Sequence, residues 1–101
     1  MKIAIASDGK GLESVISNQA GRAPYFQIIE GGKVVEVISN PFALGGGGVG
    51  IAVARMLSDM GIEKLIAKNA GGNMVDALKE KKIELAEGGG FVKDFLEDLR
   101  G

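Results

Sequence analysis

The residues best suited to bind a ligand lie in three short segments rich in glycine and polar side chains. These are residues 7–11, 69–73 and 88–90. Glycine allows the backbone to approach a ligand closely, and N–H groups at the start of a helix are donors for anions. The alternative is that these glycines only permit sharp turns between strands and helices. We predict the following cofactor-binding residues: Ser7, Asp8, Gly9, Arg22, Asn69, Gly71 and Gly72.

Arg22 is the predicted binding residue with a permanent positive charge. It lies in the segment Gly21-Arg22-Ala23-Pro24, which precedes a run of residues typical of a strand. A planar guanidinium can hold an oxyanion through two parallel hydrogen bonds. The other interpretation is an exposed loop arginine without a ligand. We therefore treat Arg22 as a candidate anion clamp.

The chain contains no histidine and no cysteine, which removes most familiar catalytic and metal-binding sites. Imidazole acid-base catalysis, thiolate nucleophiles and the commonest ligands of zinc and iron are excluded. Coordination of a metal would fall to Asp, Glu, Asn or backbone oxygen atoms, which are poor ligands for iron–sulfur clusters. We therefore predict no catalytic residues and no metal ligands, and we expect that the protein is not an enzyme.

Two further patterns point to other functions but are incomplete. Gly45, Gly47 and Gly50 satisfy G-x-G-x-x-G, but they do not follow the first strand of a parallel unit. No acidic residue stands about 20 positions later to hold a ribose. Asp8 could bind a divalent metal in a nuclease, but no second acid follows a neighbouring strand. We instead expect residues 40–48 to form a mobile flap, and Asp8 to be a turn residue or helix cap.

Length and composition are those of one globular domain that spans residues 1–101. Of the 101 residues, 46% are hydrophobic and 25% charged, and no apolar run approaches the roughly 18 residues of a membrane span. The formal net charge of -1 is too small to attract nucleic acid or an acidic membrane surface. The apolar N-terminal stretch is too short for a signal peptide. We expect a cytoplasmic monomer that binds neither nucleic acid nor membrane.

Hydrophobic patterning predicts five strands and three helices. The apolar run at residues 2–6 is typical of a strand buried on both faces, and Gly31-Gly32 between two β-branched runs is typical of a hairpin turn. Three later segments have apolar residues at helical spacing. The predicted strands cover residues 2–6, 24–30, 33–39, 62–67 and 83–86, and the predicted helices cover residues 49–60, 74–81 and 91–99.

This order of elements predicts an α/β fold with a ribonuclease-H-like motif. A hairpin followed by two strand–helix–strand crossovers places the first strand in the middle, because such crossovers are parallel and right-handed. We predict a mixed five-stranded sheet in the order 3-2-1-4-5, with strand 2 antiparallel and helices on both faces. The carboxyl ends of strands 1, 4 and 5 then share one edge, where the glycine segments meet.

Five features spread along the chain are shared with a known family. They are Met-Lys-Ile-Ala-Ile-Ala at the N-terminus with Asp8, Gly-Arg-Ala-Pro-Tyr-Phe at residues 21–26, Asn40-Pro41, the predicted helix that follows a run of glycines, and Leu-Ile-Ala at residues 65–67 with Gly71-Gly72. Through them the chain resembles the dinitrogenase iron-molybdenum cofactor biosynthesis family of nitrogenase accessory factor-like domains. The resemblance implies a ribonuclease-H-like fold without nuclease activity, and a role in binding an iron–sulfur-type or iron-molybdenum cluster for transfer. Family members commonly have His-Phe-Gly-Arg where this chain has Gln-Ala-Gly-Arg at residues 19–22.

The residues and the resemblance lead to two hypotheses of function. The first is a non-enzymatic carrier domain that binds an anionic cofactor, or its precursor, between residues 7–11, Arg22 and residues 69–73. The resemblance implies cluster-assembly proteins as its partners and a role related to nitrogen fixation. The second is a protein-interaction or regulatory module that has lost the metal ligands. The sequence leaves the identity of the cofactor open.

Overall fold

A computed structural model describes residues 1–45 and 47–100 of the chain. All five predicted strands and three predicted helices are present in this part. None of these helices is long and apolar enough to cross a membrane. The elements are β1 (Lys2–Ser7), β2 (Tyr25–Glu30), β3 (Lys33–Ser39), α1 (Val49–Asp59), β4 (Lys64–Ala67), α2 (Gly72–Glu80), β5 (Glu84–Glu87) and α3 (Val92–Arg100).

The five strands form one mixed sheet in the order β3-β2-β1-β4-β5, which confirms the predicted topology. β1 pairs antiparallel with β2 and parallel with β4, and β2 pairs antiparallel with β3. Because β1 has neighbours on both sides and is covered on both faces, its residues from Ile3 to Ser7 are buried. The central position of β1 therefore explains the apolar run at the N-terminus.

The sheet separates two hydrophobic cores, so the prediction of helices on both faces is also confirmed. On one face, α1 and α2 cover the sheet, and Phe26 and Leu65 are fully buried beneath them. On the other face, α3 packs against Ile5 and Ile29. The chain between β1 and β2 adds Ile16 to this second core. That connection therefore folds toward the α3 face of the sheet.

Helices α1 and α2 end in the same way, with one left-handed residue followed by a buried isoleucine. Gly61 has φ 79° after α1, and Lys82 has φ 60° after α2. The next residues, Ile62 and Ile83, donate their backbone N–H groups to carbonyl oxygens five residues earlier, at 3.0 and 2.9 Å. This is the Schellman pattern of helix termination. It returns the chain sharply to the sheet after each helix.

The helix ends also explain where the predicted boundaries were wrong. Ile62 and Ile83 are buried, so the hydrophobic pattern extended the predicted strands to include them. Their N–H groups close the preceding helices, and β4 and β5 begin only at Lys64 and Glu84. At its other end, α2 begins at Gly72, before the first apolar residue that marks its buried side.

Replacing Lys82 with glycine should stabilise the protein by up to about 1 kcal/mol, because a side chain costs free energy in the left-handed conformation. The greater freedom of glycine in the unfolded chain offsets part of this gain. Urea unfolding of Lys82→Gly and Lys82→Ala measures the difference, and the alanine variant controls for loss of the lysine side chain. A glycine variant no more stable than the alanine variant would contradict the explanation.

The strand directions bring several connections to one edge of the sheet. β1, β4 and β5 are parallel, and β3 runs in the same direction because β1 and β3 both lie antiparallel to β2. α1 follows β3 and α2 follows β4, so both helices begin at this edge. The segment before β2, which contains Arg22, lies at the same edge. The fold therefore gathers two helix N-termini and one arginine in one region.

Candidate functional site

A cleft of about 440 Å³ opens at this edge, on the face covered by α1 and α2. Three segments line it: residues 19–22 before β2, residues 47–51 at the start of α1, and residues 69–74, except Ala70, at the start of α2. No aspartate or glutamate is among these lining residues. The cleft is therefore free of the carboxylates that would repel an anion.

Both helix N-termini at the cleft lack a side-chain cap. α1 begins after Gly48, which has φ 80°, and α2 begins after Gly71, which is extended. Neither N-cap residue forms a side-chain hydrogen bond to the helix. The first N–H groups of a helix have no partner within it, and the helix dipole is positive at this end. The walls of the cleft therefore present backbone donors and partial positive charge.

The two helix starts come together because glycine removes a side chain between them. A Cβ atom on Gly50 would lie 2.7 Å from Cβ and 3.1 Å from Cα of Met74, in the first turn of α2. A Cβ atom on Gly21 would lie 3.4 Å from Sδ of the same methionine. The glycine pattern around Gly50 thus has a packing role that its resemblance to a dinucleotide motif does not explain.

Arg22 and Asn69 both line the cleft, and hydrogen bonds to neighbouring segments hold each of them. Nη1 of Arg22 donates a hydrogen bond to Gly45 O at 2.5 Å. Nδ2 of Asn69 donates to Oδ1 of Asn18 at 2.7 Å, and the N–H group of Ala20 donates to Asn69 O at 2.9 Å. These bonds tie residues 18–22, the predicted flap and the start of α2 into one site.

The predicted flap is anchored at its first residue. Asn40 is buried, and its backbone N–H group donates to Pro24 O at 2.9 Å. Residues 41–44 form turns, Gly47 and Gly48 line the cleft, and Gly46 lies outside the described residues. The mobility of the flap stays a prediction.

The other predicted binding residues, Ser7, Asp8 and Gly9, do not line this cleft. Ser7 is fully buried, and its hydroxyl group donates to Gly9 O at 2.8 Å. The buried amide of Gln27 donates to Gly11 O at 2.9 Å and to Gly9 O at 3.3 Å. These bonds fix the loop after β1, whose residues are not among those that line the cleft, and its role in ligand binding stays a prediction. Arg22, Asn69, Gly71 and Gly72 are the predicted residues that the cleft brings together.

The third glycine segment lies at a different cavity, on the α3 face. This cavity has a volume of about 290 Å³, and Gly88 and Gly89 line it beside an apolar floor that includes Phe95. Glu87, Asp94 and Asp98 also line it. The carboxylates make this second cavity unfavourable for an anion. The segments after β4 and β5 therefore follow neighbouring strands, but residues of the two segments line different cavities.

Two parts of the cleft were not predicted from the sequence: the first turn of α1 and the thioether group of Met74. The first turn of α1, from Val49 to Ile51, lines the cleft, although it carries no side chain that suggests chemistry. Met74 also lines it, and its thioether is a soft ligand that a search for cysteine and histidine does not count. The position of Met74 just after Gly71-Gly72 was the available signal.

The donor set of the cleft does not fit direct coordination of an iron–sulfur cluster. The sequence has no cysteine or histidine, and the residues in the described ranges contain no group of three or more potential Asp, Glu, His or Cys ligands. A single thioether cannot hold such a cluster, which is ordinarily bound by several thiolates. The cleft can bind an anion through hydrogen bonds and charge.

The chain is similar to one protein family and to several solved structures. The family model for "Dinitrogenase iron-molybdenum cofactor" matches residues 1–101, and no curated protein matches. An NMR structure of a candidate NifB protein from Thermotoga, of the DUF35 family, is 35% identical with a TM-score of 0.80, over 98% of this chain and 86% of that one. The apo orange protein from Desulfovibrio gigas has a TM-score of 0.87 at 23% identity, over 98% of this chain and 86% of that one; this likeness supports the fold alone. The match over the whole length shows that the chain belongs to the dinitrogenase iron-molybdenum cofactor family.

Proposed function

We propose that this protein is a non-enzymatic carrier that binds an anionic, preassembled cofactor or cofactor precursor in the cleft between α1 and α2. One observation carries the proposal: two uncapped helix N-termini and the Arg22 guanidinium line a single cleft that contains no carboxylate. Each of these features favours an anion, and together they act on one volume. Membership of the family supports a metal–sulfur cluster as the cargo.

The cargo is held by hydrogen bonds and charge, since the cleft lacks the ligands for coordination bonds. Arg22 supplies the charged donor at one wall. The first-turn N–H groups of α1 and α2, including those of Ile51 and Asn73, supply donors at the other walls. A volume of about 440 Å³ falls within the range of small-molecule binding sites. Reversible binding without a coordination bond suits a protein that delivers its cargo.

The apolar part of the cleft favours a soft, weakly hydrated anion. Val49, Ile51 and Met74 line it beside the backbone donors. A strongly hydrated anion such as phosphate loses solvation against such side chains, whereas a sulfur-rich anion with diffuse charge loses less. The polarisable thioether of Met74 also makes favourable contacts with a soft surface. We therefore expect a preference for sulfur-rich anions over phosphate.

A second candidate function is a protein-interaction or regulatory module, and exposed apolar side chains near the cleft favour it. Leu44, next to the residue that contacts Arg22, is fully exposed, and Ile51 at the cleft is 53% exposed. Exposed apolar side chains of this kind are suited to a protein contact. The carrier proposal needs a recipient as well, with cluster-assembly proteins as the expected partners. Ligand binding in the cleft distinguishes the two functions.

Titration of the protein with tetrathiomolybdate, a sulfur-rich divalent anion, tests the carrier proposal. The amide signals of Gly50, Ile51, Gly72 and Asn73 should shift in a saturable manner, because their N–H groups begin the two helices. The amide signals of Gly88 and Gly89 are the internal control, since these residues line the other cavity. Phosphate should bind more weakly. If neither anion shifts the helix signals, the interaction module becomes the better description.

A further inference from the structure

A buried amide connects the segment that carries Arg22 with the segment that contacts it. Asn40 follows β3 and is only 6% exposed. Its Nδ2 atom donates to Gly21 O at 3.0 Å and to Ala23 O at 2.9 Å. Its Oδ1 atom accepts the N–H group of Phe42 at 2.9 Å. Both donor hydrogens and the acceptor of this amide are therefore engaged.

These bonds constrain Arg22 from two directions. The carbonyl groups immediately before and after Arg22 are both held by the amide of Asn40. On the other side, Asn40 holds Phe42, whose carbonyl accepts the N–H group of Gly45 at 3.0 Å. Gly45 O in turn accepts from Nη1 of Arg22. A continuous set of hydrogen bonds thus leads from Asn40 to both ends of the arginine residue.

We propose that Asn40 is a positioning residue of the cleft, which sets the backbone of Arg22 and, through the turn at residues 42–45, the direction of its guanidinium group. This inference rests on the proposed function, since it gives Asn40 an effect on anion binding that acts through Arg22. Asn40 does not line the cleft. Its effect therefore arises without contact with the ligand.

Only a primary amide of this length satisfies all three bonds. An aspartate at position 40 would keep the acceptor for Phe42 but would lose both donors. Its carboxylate would also face the carbonyl oxygens of Gly21 and Ala23, and buried groups of like polarity repel each other. Asn40→Asp thus removes the two hydrogen bonds that Nδ2 of Asn40 donates, with almost no change in side-chain volume.

The matched control is Gln27, a second buried amide that holds a loop outside the cleft. Gln27 is fully buried and donates to Gly9 O and Gly11 O. Gln27→Glu is the same amide-to-acid change at a comparable depth. We expect Asn40→Asp to weaken tetrathiomolybdate binding by about 10-fold or more, and Gln27→Glu to leave it within about 2-fold, although both changes lower the stability of the fold. Equal losses in the two variants would overturn the role of Asn40.

A double variant separates positioning from general damage to the fold. If Asn40 acts through Arg22, the variant Asn40→Asp/Arg22→Ala should bind the anion no more weakly than Arg22→Ala alone. If the two losses multiply, Asn40 acts independently of Arg22 and the inference is wrong. If Arg22→Ala binds weakly while Asn40→Asp binds like the wild type, this inference fails and the carrier proposal stands. If the wild type does not bind, the carrier proposal itself fails.

A measurement on the wild type covers the case in which Asn40→Asp does not fold. The coupling between two sites is reciprocal. If the hydrogen bonds of Asn40 promote anion binding, the bound anion must therefore stabilise those hydrogen bonds. Saturating tetrathiomolybdate should slow hydrogen exchange of the Asn40 side-chain amide more than that of the Gln27 side-chain amide. Equal slowing of the two amides would report only global stabilisation and would overturn the inference.

Discussion

Replacing Arg22 with alanine should weaken the binding of tetrathiomolybdate by about 10- to 150-fold, because a charge-assisted hydrogen bond contributes roughly 1.5 to 3 kcal/mol. Among the described residues that line the cleft, Arg22 is the one with a formal positive charge. Its hydrogen bond to Gly45 O holds the guanidinium group in place before a ligand arrives, so little side-chain entropy is lost on binding. Isothermal titration of the wild type and the variant measures the change.

Lys10→Ala is the control for the loss of one positive charge. Lys10 is exposed, does not line the cleft, and its Nζ atom lies 5.6 Å from the centroid of the Tyr25 ring. A distant exposed charge is screened by salt, so this variant should lose much less affinity than Arg22→Ala. Equal affinity of the wild type and Arg22→Ala, with the fold unchanged, would remove Arg22 from the site and favour the interaction module.

Replacing Gly50 with valine should destabilise the protein by about 3 kcal/mol, because there is no space for a side chain between the first turns of α1 and α2. The nearest atoms to an added Cβ are Cβ, Cα and N of Met74, at 2.7, 3.1 and 3.3 Å. Two of these belong to the backbone and cannot move without shifting α2. For a domain of this size, such a loss corresponds to a fall of more than about 10 °C in Tm.

Gly47→Val is the matched control in the same segment. Gly47 is exposed, and an added Cβ would meet no atom within 4 Å, so Tm should change by no more than about 4 °C. The Gly50 variant should also bind the anion more weakly, since the two helix N-termini are forced apart. A Gly50→Val protein with the stability of the wild type would show that the two helices adjust, and would contradict the close contact.

The fold could be predicted because its determinants are local in the sequence or follow from general topology. The apolar run of β1 indicates burial on both faces, and Gly31-Gly32 indicates a hairpin, independently of the rest of the chain. The preference for right-handed crossovers then leaves one simple strand order. The first residues of β4 and β5 were less predictable, because burial of Ile62 and Ile83 does not reveal that their N–H groups close the preceding helices.

The candidate site could be predicted only in part. The sequence indicates at which edge of the sheet a loop lies, but it does not indicate toward which face of the sheet the loop folds. Strand directions place residues 7–11, 69–73 and 88–90 at one edge, and the structure confirms that geometry. The structure brings residues 69–74 to the cleft beside α1, while Gly88 and Gly89 line the cavity on the α3 face. The face is decided by which hydrophobic core each connection covers, and Ile16 directs the chain after β1 toward the α3 core.

The sequence by itself determined the family, the strand order, the absence of thiol and imidazole chemistry, and the importance of the segment around Arg22. Tertiary structure alone decided that α1 and α2 begin side by side, because the contact between Gly50 and Met74 joins residues far apart in the chain. It also decided that the hydrogen bonds of Asn40 and Gly45 fix Arg22. Such contacts depend on distances of a few ångströms between separate elements, and residue types and spacing along the chain do not contain those distances.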